Sequence, residues 1–267
     1  MIDPLVMSLL AALTVAPAAV SALVGPVERN LRFWTLTGLA AAGPTVLCLV
    51  LAGAGWKTGF AAALWVTIAG SVVIFLALSA ATRHAWRLAP ILMPYLLLLS
   101  VSATVWSQAV SGQSLSAEAP PVWISIHIAT SVTTYVLLTL AAIASAAVQV
   151  QEWALRRKRR FPLLARLPSM ADAEVLELGL LAAAETVLGI GILSGMAVEY
   201  LTSGALLELD HKTIFVLVAF VLIGILLIAN YWVGLRGRRA ARLVLAGYLL
   251  VTLAYPGVKF VTDVLLA

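Results

Sequence analysis

Apolar residues in this chain come in runs of about twenty, separated by short polar stretches that collect nearly all of the charge. Eight such runs are read at 4–24, 33–53, 60–82, 88–107, 122–150, 174–199, 213–234 and 241–261. A helix needs about 20 mostly apolar residues to cross roughly 30 Å of hydrocarbon, where nothing can satisfy an unpaired backbone amide. The fifth run is expected to continue as helix into the basic stretch behind it. The third and fourth are joined so tightly that they must form a helical hairpin. The pattern predicts an all-α polytopic membrane bundle of about eight transmembrane helices, a single membrane domain over 1–267.

Composition agrees with a bilayer as solvent. Hydrophobic residues make up 63% of the chain and charged residues 11%, against about 25% charged in a typical soluble domain. The first run does not read as a cleavable signal peptide, because Met1-Ile2-Asp3 supplies no basic leader and the apolar run is too long. Cys48 stands alone inside an apolar run, which excludes a disulfide framework or thiolate cluster and points to packing. No nucleotide-binding loop, solenoid period or separately folding soluble domain is visible.

The net charge of +5 would suit a nucleic-acid partner, but the placement of the charge argues for topology and against nucleic acid. Arg29 and Arg32, Arg83 and Arg87, the group Arg156–Arg160 with Arg166, and Arg236, Arg238, Arg239 and Arg242 fall in alternate connections. They account for 14 of the 17 basic residues, leaving Lys57, Lys212 and Lys259 on the other side. Positive charge is retained on the cytoplasmic side of membranes, so both termini are expected outside, with outer loops at 54–59, 108–121 and 200–212. The Arg156–Arg160 run reads either as a topology anchor or as a site for anionic lipid headgroups or a partner.

Polar groups at membrane depth are costly and face protein or a wet cavity. In the fifth segment His127, Ser131, Thr134, Ser145 and Gln149 fall on one helical stripe, which is expected to face neighbouring helices. For the Ser and Thr members interhelical hydrogen bonding suffices. His127 is set about one and a half turns inside the outer boundary, where an imidazole bonds a neighbour or ligates a metal or heme iron. His84 lies a membrane thickness away, so only His211, at the mouth of the seventh segment, is placed to share a small ligand with it. Two histidines are too few for a protein-closed zinc site but suffice as two axial ligands of a heme; the Glu208–Lys212 stretch is otherwise a solvated loop. Glu185, mid-way along the sixth segment, is either packed and hydrogen-bonded or part of a proton or cation path. The same segment carries Gly191 and Gly195, a small-xxx-small spacing that admits close helix approach. Asn230 is a further amide in need of a partner.

Several of these stretches together resemble the cytochrome c assembly protein family (CcsA/ResC, CcmC and HemX-like). Trp123-Ile-Ser-Ile-His127, with Tyr135 beyond it, is similar to the family's helix led by an outer-face histidine. Gly189-Ile-Gly-Ile-Leu-Ser-Gly195 followed by Asp210-His-Lys-Thr213 resembles its Gly-Ile-Leu-Ser-Gly helix and the step after it. Gly234-Leu-Arg-Gly-Arg-Arg239 and then Leu253-Ala-Tyr255-Pro-Gly257 resemble its basic turn and last helix. The likeness covers about 83–262 and is closest to a short, tryptophan-poor inner-membrane branch (HemX-like, YpjD-like).

The resemblance implies heme as cofactor, handled near the outer face of the inner membrane in cytochrome c biogenesis, with other membrane proteins of an assembly complex as partners besides the bilayer. Of the family's heme ligands only His127 carries over; His211 stands where the family has a proline. The family's tryptophan-rich outer loop is absent from Tyr200–His211, no histidine follows Tyr255, and the membrane-embedded histidine near the end of the seventh helix is replaced around Asn230-Tyr231-Trp232. Such a protein would hold and hand over its ligand without acting as an enzyme. Two other readings stay open on the residues alone: a non-heme scaffold or accessory subunit of a transporter or assembly complex, and a solute or proton carrier using Glu185.

Overall fold

A computed structural model describes residues 3–25, 28–53, 59–108, 121–158 and 162–261. The described residues form α1 (Pro4–Val24), α2 (Leu31–Gly53), α3 (Phe60–Ala81), α4 (Ala89–Val105), α5 (Pro121–Arg157), α6 (Pro162–Arg166), α7 (Met170–Ser203), α8 (His211–Val233), α9 (Arg238–Thr252) and α10 (Val258–Phe260). A 3₁₀ turn at Ala85–Leu88 leads into α4, and a π-helical turn at Leu253–Gly257 joins α9 to α10. Eight of these stretches are long and apolar enough to cross a membrane, each overlapping one predicted run. The fifth run does continue as helix, through Arg157. Lys57, Arg159, Arg160 and most of the 54–59 and Gln108–Pro121 loops lie outside the described residues.

The centre of the bundle is α5. Every residue from Thr134 to Ser145 is buried, including Thr134, Thr139 and Ser145, as a helix surrounded by protein on all sides requires. It packs along α7 and against α3, α4 and α9, while α1, α2, α3 and α4 form a group on one flank. Close approach depends on missing side chains. A methyl at Gly70 of α3 would come within 2.8 Å of the Val136 side chain on α5, and one at Gly43 of α2 would collide with Thr14 on α1. Small residues let backbones meet where lipid supplies no hydrophobic drive between helices. Glycines in the left-handed region, Gly204 (φ 75°) and Gly234 (φ 67°), close α7 and α8.

Four connections lie together at one end of the bundle. Arg29 donates to the carbonyl of Ala80 at the end of α3 (3.1 Å), and Arg166 to those of Leu23 (2.6 Å) and Val24 (3.4 Å) at the end of α1. His84 faces Asp172 at 3.6 Å, and the Gly237 amide donates to Glu174 at 3.1 Å. Arginines at helix C-termini satisfy orphan carbonyls and suit the negative end of the dipole. Part of the basic charge therefore has a structural task beyond topology. At the opposite end, Phe60, Trp106 and Phe260 form a mutual edge-on cluster with centroids 5.3–5.8 Å apart, tying the start of α3 to the ends of α4 and α10.

Candidate functional site

At the end away from the arginines, α5, α7, α8 and the turn after α9 enclose a cavity of about 340 Å³, within the range of small-molecule sites. The polar stripe of α5 supplies its wall: His127, Ser131, Thr134 and Tyr135 line it in that order of depth. From His127 to Tyr135 is eight residues, or ~12 Å along the helix axis. Leu188, Ile192 and Met196 of α7 and Val216 and Leu217 of α8 make the apolar sides. Tyr255, brought round by the π-helical turn, closes the wall near Tyr135, with their ring centroids 6.1 Å apart. Glu199, Glu208, Asp210 and Lys212 stand at the mouth.

The conformation of His127 follows from two glycines. Its ring packs on Gly195, where a methyl would lie 2.9 Å from Cε1, and Thr130 packs on Gly191. The small-xxx-small spacing read in the sequence is thus the seat of the α5 side chains. Nδ1 lies 3.1 Å from the Gly191 carbonyl and 3.3 Å from Ser194 Oγ, whose own hydroxyl donates to the same carbonyl at 2.9 Å. A carbonyl oxygen only accepts, so the neutral imidazole carries its proton on Nδ1 and keeps the Nε2 lone pair for a ligand. Ligating histidines are commonly oriented in this way, by donating the other ring nitrogen to a backbone carbonyl.

His211 is the first residue of α8, is exposed, and does not line this cavity, although its neighbours Asp210 and Lys212 do. The two histidines that the sequence offers as a pair are therefore not brought together around it. The reason is local: Asp210 caps α8 by accepting from the Thr213 amide at 2.8 Å, which starts the helix at His211 and fixes the direction of its side chain. Partial burial pushes the Asp210 carboxyl up. The Thr213 amide and hydroxyl, with Lys212 and His211 beside it, outweigh this and hold it below the usual range.

The rest of the α5 stripe also faces protein. Ser145 donates to the Ala241 carbonyl (3.1 Å) and to buried Glu177 (3.3 Å). Thr134 Oγ1 and Gln149 Nε2 are buried with no hydrogen-bond partner among the described residues. Asn230 finds its partner in the Leu235 carbonyl at 2.7 Å, inside the turn that ends α8. Behind the cavity wall lies a group that sequence reading touched only at Tyr135. Tyr248 OH meets Tyr95 OH at 2.5 Å and Tyr135 OH at 3.4 Å, while Thr252 Oγ1 lies 3.3 Å from Tyr135 OH. These residues come from three helices far apart in sequence, so no local pattern announces them.

As a ligand set for heme, the cavity fits one axial position. His127 offers one imidazole, whereas no second one lines the walls; Met196 is the other soft donor there, on the turn beside Gly195. Eight helices long and apolar enough to cross a membrane, four of them contributing to one cavity, define a multi-pass membrane protein with a pocket for a small ligand. The chain matches the family model described as Cytochrome C assembly protein over residues 35–266 and belongs to that family. It is 52% identical over 238 residues to an Azospirillum brasilense protein, "Uncharacterized 28.8 kDa protein in nifR3-like 5′region", covering 89% of this chain and 88% of that one. No solved structure matches it.

Proposed function

We propose that this protein binds heme at the outer face of the cytoplasmic membrane, as a holding and handover site in cytochrome c biogenesis. The observation that carries the reading is His127: its Nδ1–H is held by the Gly191 carbonyl, which leaves the Nε2 lone pair unused on a residue that lines the cavity. Family membership supplies the pathway and the expectation of heme. The positive-inside bias supports placing the cavity end outside. Heme would bring an iron centre that takes a neutral imidazole. The chain's own contribution is to fix the tautomer of His127, to shelter the ligand between Leu188, Ile192 and Val216, and to offer Lys212 to an anionic edge. Nothing in this role requires covalent catalysis.

The test is an absorption spectrum of detergent-purified protein, oxidised and reduced, before and after addition of hemin. A Soret band is expected in the wild type and is expected to be lost in His127→Ala. Absence of the band in the wild type, or its persistence unchanged in the variant, would overturn the proposal. A second reading, a non-heme scaffold or accessory subunit, draws on the single imidazole and the three carboxylates at the mouth. It predicts another membrane protein co-purifying with no chromophore.

A further inference from the structure

Glu185 lies on the same face of α7 as the residues that line the cavity. Lining residues Leu188, Ile192 and Glu199 continue the same stripe, and Glu185 precedes Leu188 by three positions, ~4.5 Å deeper along the axis. Its Oε2 is buried with no hydrogen-bond partner among the described residues. Its Oε1 lies 3.1 Å from where a Cβ on Gly224 of α8 would sit, so the carboxyl occupies space that the glycine leaves open.

The charged and titratable groups on the elements around it do not pair with it. On α5 these are His127 and Tyr135, and beyond α9 it is Tyr255. On α8 the facing cation is Lys212 at the mouth, twelve residues or ~18 Å from Gly224. On α7 itself Glu177 is two turns further in and engages Ser145, and Glu199 is at the mouth. A carboxylate left without a cation or donor in an apolar setting is costly, and exchange of a proton is the low-cost way to change its charge.

We propose that Glu185 is a proton-binding site beneath the floor of the outer cavity, exchanging with the outer solution through it and setting the charge below the bound ligand. The ligand part of this rests on the heme reading; the proton part does not. An ionised Glu185 attracts the single positive charge of a ferric iron–porphyrin core, so heme binding releases a proton from this site and tightens as pH rises through its titration.

Two measurements on the full-length protein in detergent separate these parts. Infrared difference spectra across pH are expected to show a carboxyl band that titrates in the wild type and is missing in Glu185→Gln. Gly224→Ala, which pushes on the carboxylate directly, is expected to move the midpoint. Hemin titrations are expected to show about a tenfold larger gain in affinity across that pH range in wild type than in Glu185→Gln. If no Glu185-dependent band titrates, the proton site is wrong whatever hemin does. If the band titrates but the two proteins gain affinity equally, the coupling is wrong and the proton site stands. If the wild type binds no hemin, the heme reading fails and the infrared result still decides the proton site.

Discussion

At the scale of single residues, the site is a matter of what surrounds one imidazole. His127 owes its orientation to an acceptor that cannot donate, the Gly191 carbonyl, and to the absence of a side chain at Gly195. Gly195→Ala tests this without touching a ligating atom. The added methyl would sit 2.9 Å from Cε1, so the ring must tilt and its bonds of 3.1 Å and 3.3 Å must lengthen. Overpacking of this kind costs about 1–3 kcal/mol, which spent on ligand orientation amounts to roughly a tenfold weaker hemin titration. Gly189→Ala is the matched control, because its methyl would meet Phe220 at an ordinary 3.5 Å. Equal affinity in both variants would show that the seat of the imidazole is not what positions it.

At the scale of elements, the bundle's two flanks are joined through hydroxyls in an apolar interior. Tyr95 on α4, Tyr135 on α5 and Tyr248 on α9 share their hydrogen bonds, and Tyr135 and Tyr248 stack at 5.7 Å. Tyr248→Phe keeps the stacked ring and removes only the shared hydroxyl. Interhelical hydrogen bonds in membranes average below 1 kcal/mol, but this change removes the Tyr95 partner and leaves Tyr135 with Thr252 alone. A loss of about 1–2 kcal/mol is expected, read as a lower midpoint in detergent unfolding with helix content unchanged. An unshifted midpoint would show that the cluster contributes nothing net. The same scale explains the basic connections: Arg29 and Arg166 close the ends of α3 and α1, so their replacement by Lys, which keeps the charge but loses the guanidinium fork, should still loosen those helix ends.

At the scale of the whole molecule, the four arginine-bearing connections share one end and the cavity opens at the other. The charge bias supports the proposed orientation, with the cavity end outside. Single-cysteine variants on a Cys48→Ser background check it: an impermeant thiol reagent applied to intact cells is expected to label Glu208→Cys and leave Arg166→Cys unlabelled until the membrane is opened. The reverse pattern would place the cavity in the cytoplasm and remove the proposed outer-face role.

The eight spans were legible because crossing a bilayer is a local demand on run length, satisfied segment by segment. The family was legible in scattered motifs from 83 to 262, and the full match begins earlier, at residue 35, within α2 where no motif stands out. His127 was legible as a polar group that lipid would not tolerate. His211 shows the limit: nearness in topology placed it at the same end of the bundle, but a cap at Asp210 turned it away from the cavity.

The sequence by itself determined how many times the chain crosses, which connections carry the positive charge, and that α5 must bury a polar stripe, since each depends on residues close together in the chain. Only the tertiary structure decided which nitrogen of His127 is free, that Gly224 makes room for Glu185, and that three tyrosines meet. Those outcomes depend on the rotation of each helix about its axis and on partners such as Gly191, 64 residues from His127, which periodicity within a single segment does not specify.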